Sequence, residues 1–291
     1  MEERQLWKAC EDGKVEEVQK LLQNEHININ RLDPKHSMTP FFRACGYGHF
    51  DIVKLLLSDE RVDINKPQGE GATPFFIACE KGHIGIVKLL LSDERTDINK
   101  ATNGGATPFY IACQNGRIDI VNLLLSEKKI DTNKTRDGGF TPFYIACQEG
   151  HTEIAKRLLI NKRIDIKKPT NDGATPFFMI CSQGQIEIVK YLLACGREID
   201  INKKWNNTKT PLDISKERST STQKFSNETD EQFQKAKKNC SKIVELIESF
   251  QRNPVDTREK LRKELGLPGK FIFISLSFIL LMLKGKLINI N

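Results

Sequence analysis

Nearly identical stretches of sequence return along this chain at a fixed interval. The stretch "GATPFFIACEKGHIGIVKLLLSDERTDINK" begins at Gly71, and a close copy of it begins at Gly105. Thr-Pro pairs recur every 34 residues, beginning at Thr39, Thr73, Thr107, Thr141 and Thr175. A fixed period of this length is typical of a repeat array, in which each unit stacks on the next. With 291 residues, the chain suits one elongated array rather than two compact domains.

The array also has weaker copies at both ends. The first weak copy is "LWKACEDGKVEEVQKLL", in which Cys10 lies 35 residues before Cys45. The last copy begins with "TPLDI" at Thr210, but the part of the repeat that contains the cysteine follows only at Cys240. The polar, Ser/Thr-rich stretch between these last two parts has the composition of a mobile loop. We therefore predict an N-terminal capping repeat, five full repeats, a C-terminal capping repeat with an insertion near 216–238, and a tail. Their bounds are 1–38, 39–209, 210–253 and 254–291.

Each full copy predicts two helices and a hairpin. Thr73 is a good N-cap, and Pro74 suits the first helical position because its missing N–H is not needed there. Gly82 is the residue type that accepts the left-handed conformation after a helix. Apolar residues at helical spacing predict a second helix over Ile84 to Leu91. The glycines and Asn that follow favour a tight turn between short extended arms.

The combination of T-P, A-C-x-x-G and I-V-K-L-L-L resembles the ankyrin repeat, over residues 2 to 250. The chain is most similar to the large multi-repeat ankyrin families of protists. The resemblance implies an all-α solenoid of stacked helix-turn-helix units with projecting hairpin loops. Phe75-Phe76 and Phe109-Tyr110 stand where the family usually has Leu-His. We expect an aromatic ladder through the stack in place of the family's histidine network, because each ring buries a large apolar area.

Residues that could carry chemistry recur with the repeat, whereas a catalytic site is normally unique. The cysteines at the A-C position include no C-x-x-C pair, so we predict that they are small core residues in a reducing environment. His49, His83 and His151 follow the helix-ending glycine and are expected to be structural. The repeated aspartates are assigned to the turn: Asp63, Asp97, Asp131 and Asp165. We expect no enzyme activity, no small-molecule substrate, no cofactor and no metal site.

Charge and the two termini bear on partners and location. Residues 210–291 carry 15 Lys and Arg against 10 Asp and Glu, so most of the net charge of +7 lies there and the array is nearly neutral. Without a basic stripe on the array, we expect no nucleic-acid partner. The charged start "MEERQLWKACEDG" is not a signal peptide, which predicts a cytoplasmic protein.

The C-terminal tail permits more than one interpretation. "TREKLRKELGLPGK" could form a short basic helix, and the 13 apolar residues "FIFISLSFILLML" precede Lys284 and Lys286. A helix that crosses a bilayer needs about 20 apolar residues, a length reached only by extending to Ile290. The segment 271–290 is therefore either a membrane anchor or a segment that packs on the array, associates with another chain or lacks order.

Residues that vary between copies are the candidates for partner binding. The resemblance implies that partner proteins dock on the concave surface, at the hairpin tips and the exposed side of the first helix. Phe140 is either a binding anchor or packs on its own hairpin, since the equivalent residue elsewhere is Ala. The candidate function is a non-catalytic adaptor or scaffold; the alternative is a scaffold tethered to a membrane. Carried over by position, the partner-binding residues are Tyr47, Glu70, Glu80, Lys81, Asn103, Gln114, Asn115, Asp137, Phe140, Gln148, Glu149, Asn171, Asp172 and Gln183.

Overall fold

A computed structural model describes residues 1–225 and 228–268 of the chain. These residues form fifteen α-helices, and the only β-structure among them is isolated bridges. They divide into two compact units, and each is described by itself. The first unit comprises Met1–Met179 and Lys204–Thr208, and the second comprises Ile180–Lys203 and the described residues from Lys209 onward.

The first unit is a stack of helix pairs. Within it, the first helix of each pair packs against the first helix of the next pair, and the second helices do the same. The all-α solenoid class is therefore confirmed. A further helix, α11 (Pro176–Ser182), begins in the first unit and ends in the second. The five pairs are α1 (Glu2–Asp12) and α2 (Val15–Leu22), α3 (Pro40–Tyr47) and α4 (Phe50–Leu57), α5 (Pro74–Lys81) and α6 (Ile84–Leu91), α7 (Pro108–Gln114) and α8 (Ile118–Ser126), α9 (Pro142–Gln148) and α10 (Thr152–Ile160).

The helix ends follow the predicted capping chemistry. The Thr73 hydroxyl accepts a hydrogen bond from the N–H of Phe76 at 3.1 Å, and Pro74 occupies the first position of α5. The helix ends at Gly82, whose φ of 90° lies in the left-handed region. The same threonine contact opens α3, α7 and α9. These local predictions are confirmed.

Cysteines and aromatic rings fill the interior of the repeats. All eight cysteines are buried and none forms a disulfide, as the sequence predicts. Phe75, Phe109 and Tyr110 are also almost wholly buried. In the part of the chain that the structure describes, however, no ring pair joins equal positions of successive repeats. The expected aromatic ladder is therefore wrong as a set of ring contacts between repeats, although the rings are buried.

The segment that leads from each second helix to the hairpin is here called a link. Links 1 to 4 span residues 58–66, 92–100, 126–134 and 160–168. Asparagine side chains join successive links: Asn99 donates to the carbonyl of Lys129 at 2.7 Å and accepts from the N–H of Asp131 at 2.9 Å. Asn65 and Asn133 repeat both contacts with the link that follows their own. The links therefore form one hydrogen-bonded edge of the first unit.

The second unit contains helices where the sequence predicted a loop. Much of the insertion near 216–238 is helical: residues 216–220 lie in one helix and 230–238 in another, whereas the described residues 221–225, 228 and 229 lie outside helices. The loop prediction was wrong for the helical residues. The guanidinium of Arg218 lies 4.0 Å from the ring centroid of Phe225 and 4.9 Å from that of Phe233, and so connects the two helical parts. The helices of this unit are α12 (Ile186–Ala194), α13 (Pro211–Thr220), α14 (Asp230–Arg252) and α15 (Pro254–Glu264).

The helix α15 is the short basic helix predicted at the start of the tail. Arg258 donates to the carbonyl of Leu193 at 3.2 Å, and Arg262 donates to that of Ala194 at 3.0 Å. Both carbonyls lie at the C-terminal end of α12, where backbone acceptors have no helical partner. This helix therefore packs within the second unit. The apolar run 271–283 and the proposed anchor 271–290 lie outside the described residues.

Candidate functional site

The first helices α5 and α7 each present one face that combines an aliphatic residue with polar residues. In α7, Gln114 and the following Asn115 lie three and four positions after Ile111, so the three share a face. Ile111 and Gln114 are half-buried, and Asn115 is exposed. In α5, Ile77 precedes Glu80 and Lys81 at the same spacing. These aliphatic residues were not among the candidates predicted from the sequence, although their helical spacing from the polar candidates is visible in it.

Contacts from the next repeat fix the carbonyls at the ends of these helices. The Nε2 atom of His83 lies 3.0 Å from the carbonyl of Gly46, and that of His151 lies 2.8 Å from the carbonyl of Gln114. Because a carbonyl only accepts, each ring must donate from Nε2. Arg117 stands in the place of the histidine and donates to the carbonyl of Glu80 at 3.0 Å. The repeat that follows thus holds the backbone that carries the candidate side chains.

The hairpin tips form a hydrogen-bonded ribbon. The N–H of Asn103 donates to the carbonyl of Glu70 at 2.7 Å, and that of Asp137 donates to Gly104 at 2.9 Å. Only glycine suits position 71, because its φ is 91° and a Cβ there would lie 3.0 Å from the Asn103 nitrogen. These contacts use the backbone, and the side chains of Glu70, Asn103, Asp137 and Asn171 are exposed on successive tips.

Phe140 contacts its own hairpin. Its ring meets the ring of Tyr144 edge to face, with centroids 5.3 Å apart and an interplanar angle of 65°. The ring also covers Gly138, where an added Cβ would lie 2.4 Å from the ring. Phe140 is half-buried as a result. The geometry therefore favours the packing alternative, while part of the ring stays accessible.

Asp172 is committed to contacts within the first unit. Its carboxylate accepts from the hydroxyl of Thr170 and, at 3.1 Å, from the indole N–H of Trp205. The Thr170 hydroxyl is the main cause of the lowered pKa of Asp172, and Trp205 adds to it. Trp205 also packs on Phe178, with ring centroids 5.4 Å apart. No repeated position predicted this tryptophan contact.

Two further candidates lie apart from this pattern. Tyr47 is 56% exposed, and its ring stacks on His49 with centroids 6.2 Å apart. Gln183 belongs to the second unit, where its side chain accepts from Gln185 at 3.1 Å. The candidates of the first unit, from Tyr47 to Asp172 together with Ile77 and Ile111, are called the strip below.

The strip is acidic although the chain is basic. The fourteen residues predicted from the sequence include five acidic side chains and one basic side chain, Lys81, whereas the whole chain has a net charge of +7. The ammonium group of Lys81 lies 3.3 Å from a carboxylate oxygen of Glu80. The remaining acidic side chains are Glu70, Asp137, Glu149 and Asp172. A surface of this kind favours partners that present basic groups.

The buried titratable groups stabilise the fold. Burial raises the pKa of Cys10 to about 12, so its thiol is protonated at neutral pH. Arg43 replaces the aliphatic residue of the first full repeat and binds Asp33 at 2.6 Å and Glu11. Within residues 1–225 and 228–268, no three His, Cys, Asp or Glu side chains are grouped so that they could hold a metal ion.

Among the helices of residues 1–225 and 228–268, none is both long and apolar enough to cross a membrane.

Comparisons with known proteins agree with this architecture. Family models described as ankyrin repeats match residues 6–57, 60–136 and 128–204, which together are more than half of the chain. The crystal structure of the human ASB11 ankyrin repeat domain matches with a TM-score of 0.62 and 21% identity, over 81% of this chain and 96% of that one. A comparison with curated proteins gave no match.

Proposed function

This chain belongs to the ankyrin-repeat family, whose repeats are generally protein-interaction modules, and we propose that it is a non-catalytic adaptor that holds partner proteins on the strip. The observation that carries the proposal is the division between repeated and variable positions. Repeated residues are buried or bond the next repeat, as Cys113 and Asn99 do. Variable residues such as Asn115 and Glu149 are exposed on the strip.

The construction of the strip suits recognition of a folded or extended protein segment. Half-buried Ile77 and Ile111 supply apolar contact area, and the polar helix ends and hairpin tips surround them. An apolar centre with a polar rim is the usual anatomy of a protein interface. Because neighbouring repeats already hold the backbone, little ordering is required on binding.

Affinity capture from a cell extract, read by mass spectrometry, tests this function. The strip variant would be Asn115→Ala with Glu149→Ala, since both side chains are exposed and neither lies in the core. The matched control is Asp51→Ala with Asp119→Ala, two exposed residues in the first turns of second helices. We expect the strip variant to recover its specific partner at least about tenfold less well, and the control to recover it normally.

Two results would overturn the proposal. Equal capture by the strip variant and the control would place the partner elsewhere on the chain. Turnover of a substrate by the purified chain would contradict the non-catalytic part, which follows from the absence of a single nucleophile, base and orienting group in the repeats.

The sequence of the tail favours a second candidate function, a membrane-tethered scaffold with the anchor in 271–290. Its support is the apolar run that precedes Lys284 and Lys286. Because α15 packs on α12 and α14, the informative truncation ends at Pro268 and leaves α15 in place. The tether requires the full chain to sediment with membranes and the truncated chain to stay soluble. If both stay soluble, the tether is wrong.

A further inference from the structure

The four links carry different charges although their sequences are closely related. Links 1 and 2 together have four basic and six acidic side chains. Links 3 and 4 have seven basic and three acidic side chains. The edge of the first unit that the links form is therefore acidic at links 1 and 2 and basic at links 3 and 4.

The difference results from substitutions at equal positions. Glu60 and Glu94 in links 1 and 2 correspond to Lys128 and Lys162 in links 3 and 4. Lys167 stands where the other links have the bridging asparagine. The helix and hairpin framework is the same in these repeats, so it does not require the charge reversal.

Links 3 and 4 are neighbours in space and form one surface. The amide of Asn133 donates to the carbonyl of Arg163 at 2.6 Å, and its oxygen accepts from the N–H of Asp165 at 2.7 Å. The guanidinium of Arg163 reaches back to the carbonyl of Leu125 at 2.9 Å. The lysines of the two links are thus carried by a backbone that is fixed across the repeat boundary.

Internal carboxylates neutralise this surface less than they neutralise links 1 and 2. There, Asp59 pairs with Arg61 and Asp93 pairs with Arg95, each at 2.7 Å. Links 3 and 4 have Glu127 and Asn161 in place of these aspartates. Among the described residues, four exposed lysines of links 3 and 4 form no ion pair: Lys128, Lys129, Lys134 and Lys168.

Link 4 also contains one exposed apolar side chain. Ile160 ends α10 and is 49% exposed. The equivalent residues in the preceding repeats are serines, such as Ser92, whose hydroxyl donates to the carbonyl of Leu89 at 2.7 Å. The fourth repeat therefore lacks this polar contact at the helix end and has an exposed aliphatic contact in its place.

We propose that links 3 and 4 bind an acidic segment of a partner protein, whose carboxylates meet the lysines and whose apolar side chain meets Ile160. Lysine ammonium groups attract carboxylates without a fixed geometry, which suits an extended segment. The backbone of a nucleic acid would gain little from Ile160. A single aliphatic side chain is also too small an apolar face to bury in a bilayer. This surface is separate from the strip, so the two can be tested independently.

Fluorescence anisotropy with the full-length chain tests the proposal. The probe is a short fluorescein-labelled peptide of glutamates interrupted by single leucines, compared with the same peptide carrying glutamines. The test variant, Lys128→Glu with Lys162→Glu, installs the residues that links 1 and 2 already contain, so folding should be retained. The control variant, Lys66→Glu with Lys100→Glu, makes the same change of charge in links 1 and 2.

The glutamate peptide should bind the native chain and lose at least about tenfold in affinity for the test variant, but less than about threefold for the control. Binding should also weaken as salt rises from about 0.05 M to about 0.5 M. Ile160→Ser should weaken binding of the glutamate peptide to the otherwise native chain, without changing how that binding depends on salt.

Several outcomes would overturn the proposal. Equal losses in both variants would indicate a general effect of net charge. If the glutamine peptide binds as tightly as the glutamate peptide, or if neither peptide binds, an acidic segment is not the ligand. Binding to phosphatidylserine vesicles or to a DNA duplex, with loss in the test variant and no peptide binding, would assign the surface to that ligand. Circular dichroism must show both variants to be equally folded.

Discussion

In the first unit the same hydrogen bonds recur from one repeat to the next, whereas the second unit is held by individual arginines. Asn65, Asn99 and Asn133 each join two links of the first unit. In the second unit, Arg218 binds Glu228 and the carbonyl of Gln223, and Arg258 and Arg262 bind the end of α12. Stability should therefore be spread evenly over the first unit and concentrated at a few residues in the second.

The strongest test of this difference is Arg218→Met. Arg218 is 4% exposed, and its loss would leave the Glu228 carboxylate without its cation. We expect the free energy of unfolding, measured with urea, to fall by about 3 kcal/mol. The control is Lys216→Met on the same helix, whose exposed pair with Glu248 should contribute less than about 1 kcal/mol. Equal small losses would mean that this segment behaves as the mobile loop that its composition predicts.

A substitution in the core of the first unit should have the next largest effect. Cys113 is completely buried in α7, so Cys113→Phe overfills the interior and should cost about 2 kcal/mol. Because an array's stability is a sum over repeats and their interfaces, damage at this central repeat should separate unfolding into more than one transition. A single transition with an unchanged midpoint would contradict the buried position, and Cys113→Ala serves as the small-residue control.

The recurring asparagines should each contribute a similar, smaller amount. Asn99→Ala removes one donated and one accepted hydrogen bond between links 2 and 3 and should cost about 1 kcal/mol. Asn65→Ala and Asn133→Ala remove equivalent bonds and should match it within about 0.5 kcal/mol. Thermal unfolding of the three variants measures these costs. A loss of stability in only one of them would show that stability is not spread evenly over the first unit.

Phe140 tests whether a residue without counterparts in other repeats stabilises the first unit. Phe140→Ala removes the edge-to-face contact with Tyr144 and should cost about 1 kcal/mol or less. Phe140→Leu, which keeps part of the apolar contact, should cost less. Capture of the partner by the folded protein should change little if the ring mainly packs on its hairpin. A large loss of capture with unchanged stability would make Phe140 a binding anchor.

The last prediction concerns Asp33 and the dependence of stability on pH. Burial acts to raise the pKa of this carboxyl, but hydrogen bonds from Arg43 and from the N–H groups of His36 and Lys35 outweigh it and lower the pKa to about 2. Since an unfolded aspartate titrates near pH 4, this stabilisation is complete above about pH 4 and is lost as the pH falls towards 2. Between about pH 4 and 2, Asp33→Asn should make the free energy of unfolding depend less steeply on pH. The exposed control Asp119→Asn should leave this dependence as it is in the native chain.

Local chemistry and repetition made most of the fold predictable from the sequence. A threonine cap needs a partner only three residues away, as Thr73 and Phe76 show. The residues near it in the sequence are therefore enough to predict the helix start. Repetition added a second source of information, because a cysteine that returns at one helical position in every copy is expected in the core. The same comparison separated variable positions such as Asn115 from repeated ones, and thereby indicated a candidate surface.

Residues that occur only once were poorly predicted, because no other copy shows what surrounds them. The polar composition around Arg218 predicted a loop, yet two rings and a carboxylate bury its guanidinium. Asp172 is exposed as predicted, but the sequence did not indicate that Trp205, 33 residues later, donates to its carboxylate. In both cases the deciding partner is supplied by the fold.

The sequence by itself determined the repeat, the helix ends, the cysteine core and the exposed variable positions, since these depend on near neighbours or on a fixed period. The tertiary structure alone decided that Arg117 reaches the same kind of carbonyl as the histidines, that Phe140 leans on Tyr144, and that links 3 and 4 adjoin. The physical reason is distance along the chain: Asn133 and Arg163 are 30 residues apart, and only stacking of the repeats brings them to 2.6 Å.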